Sequence, residues 1–143
     1  MALELGLKTL LLSQLSITTL VPIQTLSGTN YYGIFNENPV EDFKPPYILI
    51  HLIDDDANVC LDGTSGTATY DFDIDCYAYR FDKSVQIGKA VFDFLKDYAG
   101  PATAEHSIKA VIYEGKRHDK IYEDQGGDVR HHIESLSFQI HAT

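Results

Sequence analysis

Between Thr67 and Ala78 apolar and polar side chains alternate, and this pattern constrains the fold more than any other feature of the chain. Successive side chains of a β-strand point to opposite faces. One face would therefore carry Ala68, Tyr70, Phe72, Ile74, Cys76 and Ala78, and the other Thr67, Thr69, Asp71, Asp73, Asp75 and Tyr77. A helical repeat of 3.6 residues would mix the aspartates with the apolar groups. The pattern predicts a strand with one face in a core.

The polar face of this strand carries three carboxylates, on Asp71, Asp73 and Asp75. Such a row fits a solvated face, or one paired with Lys and Arg from an adjoining strand or subunit. Hard metal ions also bind carboxylate clusters, and acid–base catalysis needs two carboxyl groups in one cleft. We favour the solvated or paired interpretation and keep the metal-binding and catalytic ones open.

Further strands are predicted on both sides of this one. The apolar run Tyr47 to Ile53 predicts a strand buried on both faces, and His51 within it is expected to be a hydrogen-bonded core histidine. Later strands are predicted over 107–114, 120–123 and 130–141, and a turn over 115–119 is predicted to join the first two of them. Ile133 is out of phase with Leu136, Phe138 and Ile140, which predicts a bulge near Glu134 and Ser135.

Two helices are predicted from apolar residues at helical spacing. The first covers residues 2–15, followed by a short turn, and the second covers about residues 82–98 with Asp82 as its N-cap. Residues 24–46 read as a long loop that packs on the body or on a neighbouring copy. The sequence thus predicts one α+β domain over 1–143, a mostly antiparallel sheet of about four or five strands packed against two helices.

The charge balance excludes some classes of protein. The formal net charge is −10 and the sequence pI is near 4.8, which opposes non-specific binding to DNA or to anionic membranes. The region Met1–Val21 lacks the pattern of a signal peptide or a membrane span. We expect a protein that stays inside the cell that makes it. Cys60 and Cys76 match no zinc spacing and fit a reducing compartment, although a disulfide between them stays open.

Sequence motifs for common enzyme chemistry are absent. The sequence contains no G-x-x-x-x-G-K-[ST], G-x-G-x-x-G, G-x-S-x-G or H-E-x-x-H. The run Asp54–Asp56 starts like a calcium-binding loop, but Val59 stands where the glycine belongs and Ser65 where the glutamate belongs. We therefore interpret Asp54–Asp56 as part of a charged connection between strands, and we expect neither an enzyme nor a cofactor.

The order of elements, with several local motifs, resembles a family of tailed-bacteriophage proteins. The residues that carry the resemblance are Pro46-Tyr47-Ile48, Leu61-Asp62-Gly63 with Gly66, Asp73 to Ala78, the helix Val85 to Leu95, Tyr122-Glu123 and Leu136-Ser137-Phe138. The chain is similar over nearly its whole length to tail-completion or tail-to-head joining proteins, relatives of the lambda minor tail protein U. The Asp54–Asp56 run and the long stretch before Pro45 depart from that pattern.

The resemblance implies a virion subunit that forms a ring, often sixfold, where the tail meets the head. Its partners would be further copies of itself and the tail-tube and head-connector proteins, with no specific nucleic-acid binding and no membrane. It would assemble in the host cytoplasm and reside in the virion tail. The basic residues are concentrated between Lys109 and Arg130, away from the aspartates, and such charge segregation favours head-to-tail packing. The predicted interface or channel residues are Asp54, Asp55, Asp56, Asp71, Asp73, Asp75, Lys116 and Arg117.

Two other classes of function remain open at the level of sequence. A small-ligand or metal-binding module could use Asp71, Asp73 and Asp75. A hydrolase could use His51, His106 or His118, provided that one of them has a carboxylate partner in a cleft.

Overall fold

The computed structural model describes residues 3–60, 63–103, 106–122 and 129–143, and side chains within 3–53, 68–103, 106–121 and 131–143. The three helices are α1 (Leu3–Leu12), α2 (Leu15–Thr18) and α3 (Phe81–Leu95). The strands of the main sheet are β3 (Ile34–Asn36), β4 (Tyr47–Cys60), β5 (Gly63–Ala78), β6 (Gly100–Pro101), β7 (Ser107–Tyr122) and β8 (Val129–Ala142). A separate hairpin consists of β1 (Gln24–Leu26) and β2 (Thr29–Tyr31).

The six strands of the main sheet lie in the order β3-β4-β5-β8-β7-β6. The short edge strand β3 runs parallel to β4, and every other neighbouring pair is antiparallel. The predicted α+β class is confirmed, but the predicted strand count and the antiparallel pattern are only roughly matched. The additional strands of the main sheet are β3, from residues 24–46, which were predicted to form a loop, and the two-residue strand β6.

The apolar face of β5 lies in the core, as the alternation predicted. Phe72, Ile74 and Cys76 are fully or almost fully buried, and the Cys76 thiol is free. The core joins this face to α1, α3 and the neighbouring strands through buried apolar side chains, namely Leu3, Leu7, Leu11, Ile48, Ile50, Ile87, Val91, Leu95, Leu136, Phe138 and Ile140. Burial raises the pKa of the Cys76 thiol well above its ordinary value, so this sulfur acts as a small apolar group.

Residues 24–46 cover part of the opposite face of the sheet. Phe35 and Phe43 form a second buried cluster with Tyr47 and Leu49 of β4, and the Phe35 and Phe43 rings meet edge to face at 4.9 Å. Because this cluster covers one side of β4 and the helices cover the other, the first four residues of β4 are buried on both faces. The prediction for this strand is correct there and fails at Ile53, which is 60% exposed.

Two predictions were wrong because a glycine and a run of charged residues were read as signs of turns or connections. The turn predicted over 115–119 is wrong: β7 runs through it, and Gly115, with a φ of 140°, lies at a bulge where β7 slips against β8. Asp54–Asp56 belong to the long hairpin of β4 and β5, where they pair with Asp71, Tyr70 and Thr69. The expectation of a connection there was therefore also wrong.

The predictions for the second long helix and for the last strand also need correction. The helix predicted at about 82–98 begins at Phe81 and ends at Leu95, with Arg80 at the N-cap position, so Asp82 lies in the first turn. Its carboxylate accepts a hydrogen bond from the Lys83 amide at 3.0 Å. The register of β8 against β5 is continuous from His132 to Ala142, so no bulge lies near Glu134, and Ile133 instead occupies the opposite face. Within the described residues no helix is long and apolar enough to cross a membrane.

Candidate interface on the aspartate face

Asp71, Asp73 and Asp75 lie on the sheet face turned away from the helices, hereafter the aspartate face. Each carboxylate is half-buried. Asp75 pairs in register with Ser135 of β8, whose hydroxyl donates a hydrogen bond of 2.6 Å to Asp75 Oδ1. Asp73 pairs with Ser137, which donates one of 2.7 Å to Asp73 Oδ1. The aspartates are thus paired with serine hydroxyls of the adjoining strand, where we had expected water or Lys and Arg side chains.

His51 links this row to the edge of the sheet. Its Nε2 lies 3.3 Å from Asp75 Oδ2, and its Nδ1 lies 3.0 Å from Glu37 Oε2. Glu37 follows β3, and its other carboxylate oxygen accepts a hydrogen bond from the Leu52 amide at 3.4 Å. His51 is therefore hydrogen-bonded as predicted, although its half-buried side chain lies on a polar face and outside the core.

Asp71 has the least satisfied carboxylate of the three. Its Oδ1 is inaccessible to solvent and has no hydrogen-bond partner among the described residues. It pairs in register with Gln139 on one side and with Asp54 on the other. Since an unpaired buried oxygen is costly, this end of the row is the one most in need of a donor from outside the described residues.

The arrangement offers little for catalysis. The hydrolase hypothesis required a histidine beside a carboxylate, and His51 fulfils that condition. Both of its ring nitrogens face carboxylates, however, so neither faces a hydroxyl or thiol that could act as a nucleophile. His106 Nδ1 lies 2.6 Å from the Thr143 carbonyl oxygen, and His118 Nε2 lies 3.1 Å from His132 Nδ1.

The side chains that the structure describes do not form a metal site either. Within the described part of the chain no group of three His, Cys, Asp or Glu residues could hold a metal ion. The geometry of Asp71, Asp73 and Asp75 therefore does not favour the metal-binding module.

The predicted interface residues do not form a single cluster. Arg117 pairs with Ser135 and so shares the aspartate face, whereas Lys116 pairs with the buried Leu136 and lies on the helix face. Arg117 Nε forms an ion pair with Asp119 at 3.2 Å, and both residues are exposed. Asp54, Asp55 and Asp56 belong to β4 by their backbone, and their side chains lie outside the described residues.

Beside the carboxylates, the aspartate face carries an aromatic groove of about 950 Å³. Tyr47 and Tyr77 stack at its floor with ring centroids 4.7 Å apart, and Tyr79 and Ile121 line it as exposed side chains. Burial, followed by the nearby Asp75 charge, raises the pKa of Tyr77 to about 12. No local sequence pattern indicated this groove or the roles of Glu37, Ser135 and Ser137.

Comparison with known proteins supports the fold and leaves the family open. No protein-family model matches the chain, and no curated protein matches it. Among solved structures, a chain of the "Virion of native gene transfer agent (GTA) particle" superposes with a TM-score of 0.70 at 15% sequence identity. The match covers 99% of this chain and 94% of that chain. At this identity it shows a shared fold over the whole length, and membership of the tail-completion family stays a prediction.

Proposed function

We propose that this protein is a structural subunit of a phage-like virion, which completes the tail or joins it to the head by forming a ring. The observation that carries the proposal is the nearly full-length similarity to a chain of a gene transfer agent virion. The coverage of 94% of that chain matters here, because it leaves little of the neighbour's fold without a counterpart. The resemblance of the sequence to tail-completion proteins points to the same kind of particle.

The aspartate face gives the ring a surface suited to DNA passage. The chain carries a formal net charge of −10, and three carboxylates occupy the middle of this face. A channel lined by such a surface repels the phosphate backbone, so DNA slides past without being held. The serine partners of Asp73 and Asp75 are neutral hydroxyls, so they add no positive charge to this face.

The proposed role is non-enzymatic and needs no cofactor. Its partners are further copies of the chain, the tail-tube protein and the head-connector protein of the same particle, and it contacts neither a membrane nor specific DNA sequences. It assembles in the host cytoplasm and remains in the virion tail. The polar network of Glu37, His51 and Asp75 then has a structural purpose, since it ties the segment after β3 to the centre of the sheet.

Light scattering and negative-stain imaging of the purified protein test the proposal, over a range of concentrations and with the tail-tube protein of the same particle. We expect closed rings with a central channel, and we expect that deleting the gene yields heads and tails that fail to join. A protein that stays monomeric under all these conditions, with normal particles in its absence, would overturn the proposal.

The orientation of the ring has its own test. We expect wild-type rings not to bind DNA. Rings carrying Asp71→Asn, Asp73→Asn and Asp75→Asn should bind DNA, because the channel loses three negative charges per copy. The matched control places the same number of neutralising changes at the exposed Asp82 and Asp93 of α3 and at Asp97, just after the helix. If both sets of rings behave alike, the aspartate face does not line the channel.

A further inference from the structure

The main sheet leaves a long edge of β7 open. β8 pairs with β7 from Ile108 to Tyr122, but β6 covers its other side only at Ser107 and Ile108. From Lys109 to Tyr122 no described strand pairs with that outer edge. An open edge presents unpaired N–H and C=O groups, which makes it a template for another strand.

β4 has a second open edge at the other side of the sheet. β3 covers Ile48 to Ile50, and Glu37 extends the cover by one step, because its amide donates to the Ile50 carbonyl at 3.0 Å. From Ile53 to Cys60 no described strand pairs with the outer side of β4. The two open edges therefore lie at opposite ends of the strand order.

Both edges expose apolar side chains that a solvated edge would not need. Ile112 is 48% exposed on β7, where Tyr113 and Ile121 are each 37% exposed, and Ile53 on β4 is 60% exposed. Proteins usually protect edges with short strands, bulges or covering segments. β7 has register shifts at three places, and between two of them the stretch from Gly115 to Ile121 pairs regularly with β8, so this part of its edge lacks such protection.

The charges of the two edges are complementary. Between residues 109 and 121, β7 carries four basic residues (Lys109, Lys116, Arg117 and Lys120) against two acidic ones (Glu114 and Asp119). Between residues 53 and 60, β4 carries three acidic residues (Asp54, Asp55 and Asp56) and no basic one. Pairing β7 with β7, or β4 with β4, would oppose like charges, whereas pairing β7 with β4 would oppose unlike ones.

We propose that the β7 edge of one copy pairs with the β4 edge of the next copy, so that the sheet continues from subunit to subunit. This inference rests on the proposed function and names the contact that closes the ring. Strand direction permits it: β4 and β8 run one way and β5 and β7 the other, so the new pair is antiparallel and the helices stay on one side. The contact joins different surfaces, and repetition of such a heterologous contact closes into a ring.

The short edge strands β3 and β6 require that one copy is shifted along the strand direction relative to the next. β3 covers the beginning of β4, and β6 covers the beginning of β7, which lies at the opposite end of the sheet because the two strands run in opposite directions. The open parts meet only when one copy is shifted along the strands relative to the next. A sheet that closes on itself with tilted strands has such a shift at every step.

Charge reversal tests the pairing directly. The first variant carries Lys116→Glu, Arg117→Glu and Lys120→Glu, the second carries Asp54→Lys, Asp55→Lys and Asp56→Lys, and the third carries all six changes. We expect each of the first two to weaken ring assembly about tenfold or more per contact, and we expect the third to restore it. A control with Lys83→Glu and Lys89→Glu on α3 and Lys96→Glu at its C-cap should assemble like the wild type.

Mixing the first two variants gives a sharper result. Each alone opposes like charges at every contact, but a 1:1 mixture opposes unlike charges, so we expect rings in which the two variants alternate. Native mass spectrometry measures their composition, and circular dichroism verifies that each variant folds. If wild-type rings form and the two variants assemble as well as the control does, the edge pairing is wrong while the ring stands. If no wild-type ring forms even with the tail-tube protein, the proposed function fails first.

Discussion

His51 Nε2 lies 3.3 Å from Asp75 Oδ2, and through this contact the edge segment that holds Glu37 is connected to the central strand of the sheet. Glu37 and Asp75 are separated in sequence by more than a quarter of the chain. The contact is half-buried and lies beside the aromatic groove, so it stabilises the part of the aspartate face that the proposed ring would present to its channel.

Replacing His51 by alanine should destabilise the fold by about 1 kcal/mol, because it removes the hydrogen bond with Glu37 and the contact with Asp75. Urea unfolding of the wild type, His51→Ala, Asp75→Asn and the double variant measures the coupling between the two residues. Asp93→Asn on the surface of α3 provides a control, and we expect no measurable change from it. Additive effects of His51→Ala and Asp75→Asn would contradict the link.

Gly88 is required by the close approach of α3 to β8. A Cβ at this position would lie 2.9 Å from Glu134 Cγ, so we expect Gly88→Ala to cost about 1–3 kcal/mol. In a Glu134→Ala background the nearest remaining Glu134 atom, Cβ, is 3.5 Å away, and the higher helix propensity of alanine should then make Gly88→Ala stabilising. Thermal unfolding of the wild type, Gly88→Ala, Glu134→Ala and the double variant measures this reversal. If Gly88→Ala changes the stability in the same direction in both backgrounds, the explanation is wrong.

Acid should weaken the fold through His132. Burial, followed by the neighbouring His118 and Lys120 charges, lowers the pKa of His132 below its ordinary value of 6.5. The unfolded chain then takes up this proton more readily than the folded one, so stability falls as the pH drops below 6.5 and through the lowered pKa. The difference in unfolding free energy between wild type and His132→Gln, measured across that range, should change with pH in this direction. A difference that is independent of pH would contradict the prediction.

Titration to high pH should show that Tyr77 ionises later than exposed tyrosines. Its pKa is raised from 10.0 to about 12, so the folded protein keeps this phenol protonated after exposed tyrosines have ionised. Its contribution to stability is complete below pH 10 and is lost as the pH rises through the folded pKa. Ultraviolet titration of the wild type and Tyr77→Phe should differ by one late-ionising tyrosine. If the variant lacks an early-ionising tyrosine instead, Tyr77 is more exposed than the structure indicates.

Strand-scale features of the fold could be predicted because they depend on side chains close together in sequence. The alternation across Thr67 to Ala78 correctly placed Phe72 and Ile74 in the core and Asp73 and Asp75 on the other face. Helical spacing gave α1 and α3 to within a few residues. Gly115 and the Asp54–Asp56 run were misread because a bulge and a charged hairpin produce the same local signals as turns.

The sequence by itself determined which side chains of each strand face the core, because a two-residue period depends only on order along the chain. Which groups face the aspartates was decided only by the tertiary structure. Ser135 and Ser137 reach them through the pairing of strands some 60 residues apart, and Glu37 reaches His51 through a short parallel strand that has no clear local pattern. Register between distant strands depends on the packing of the whole core, and no local pattern encodes it.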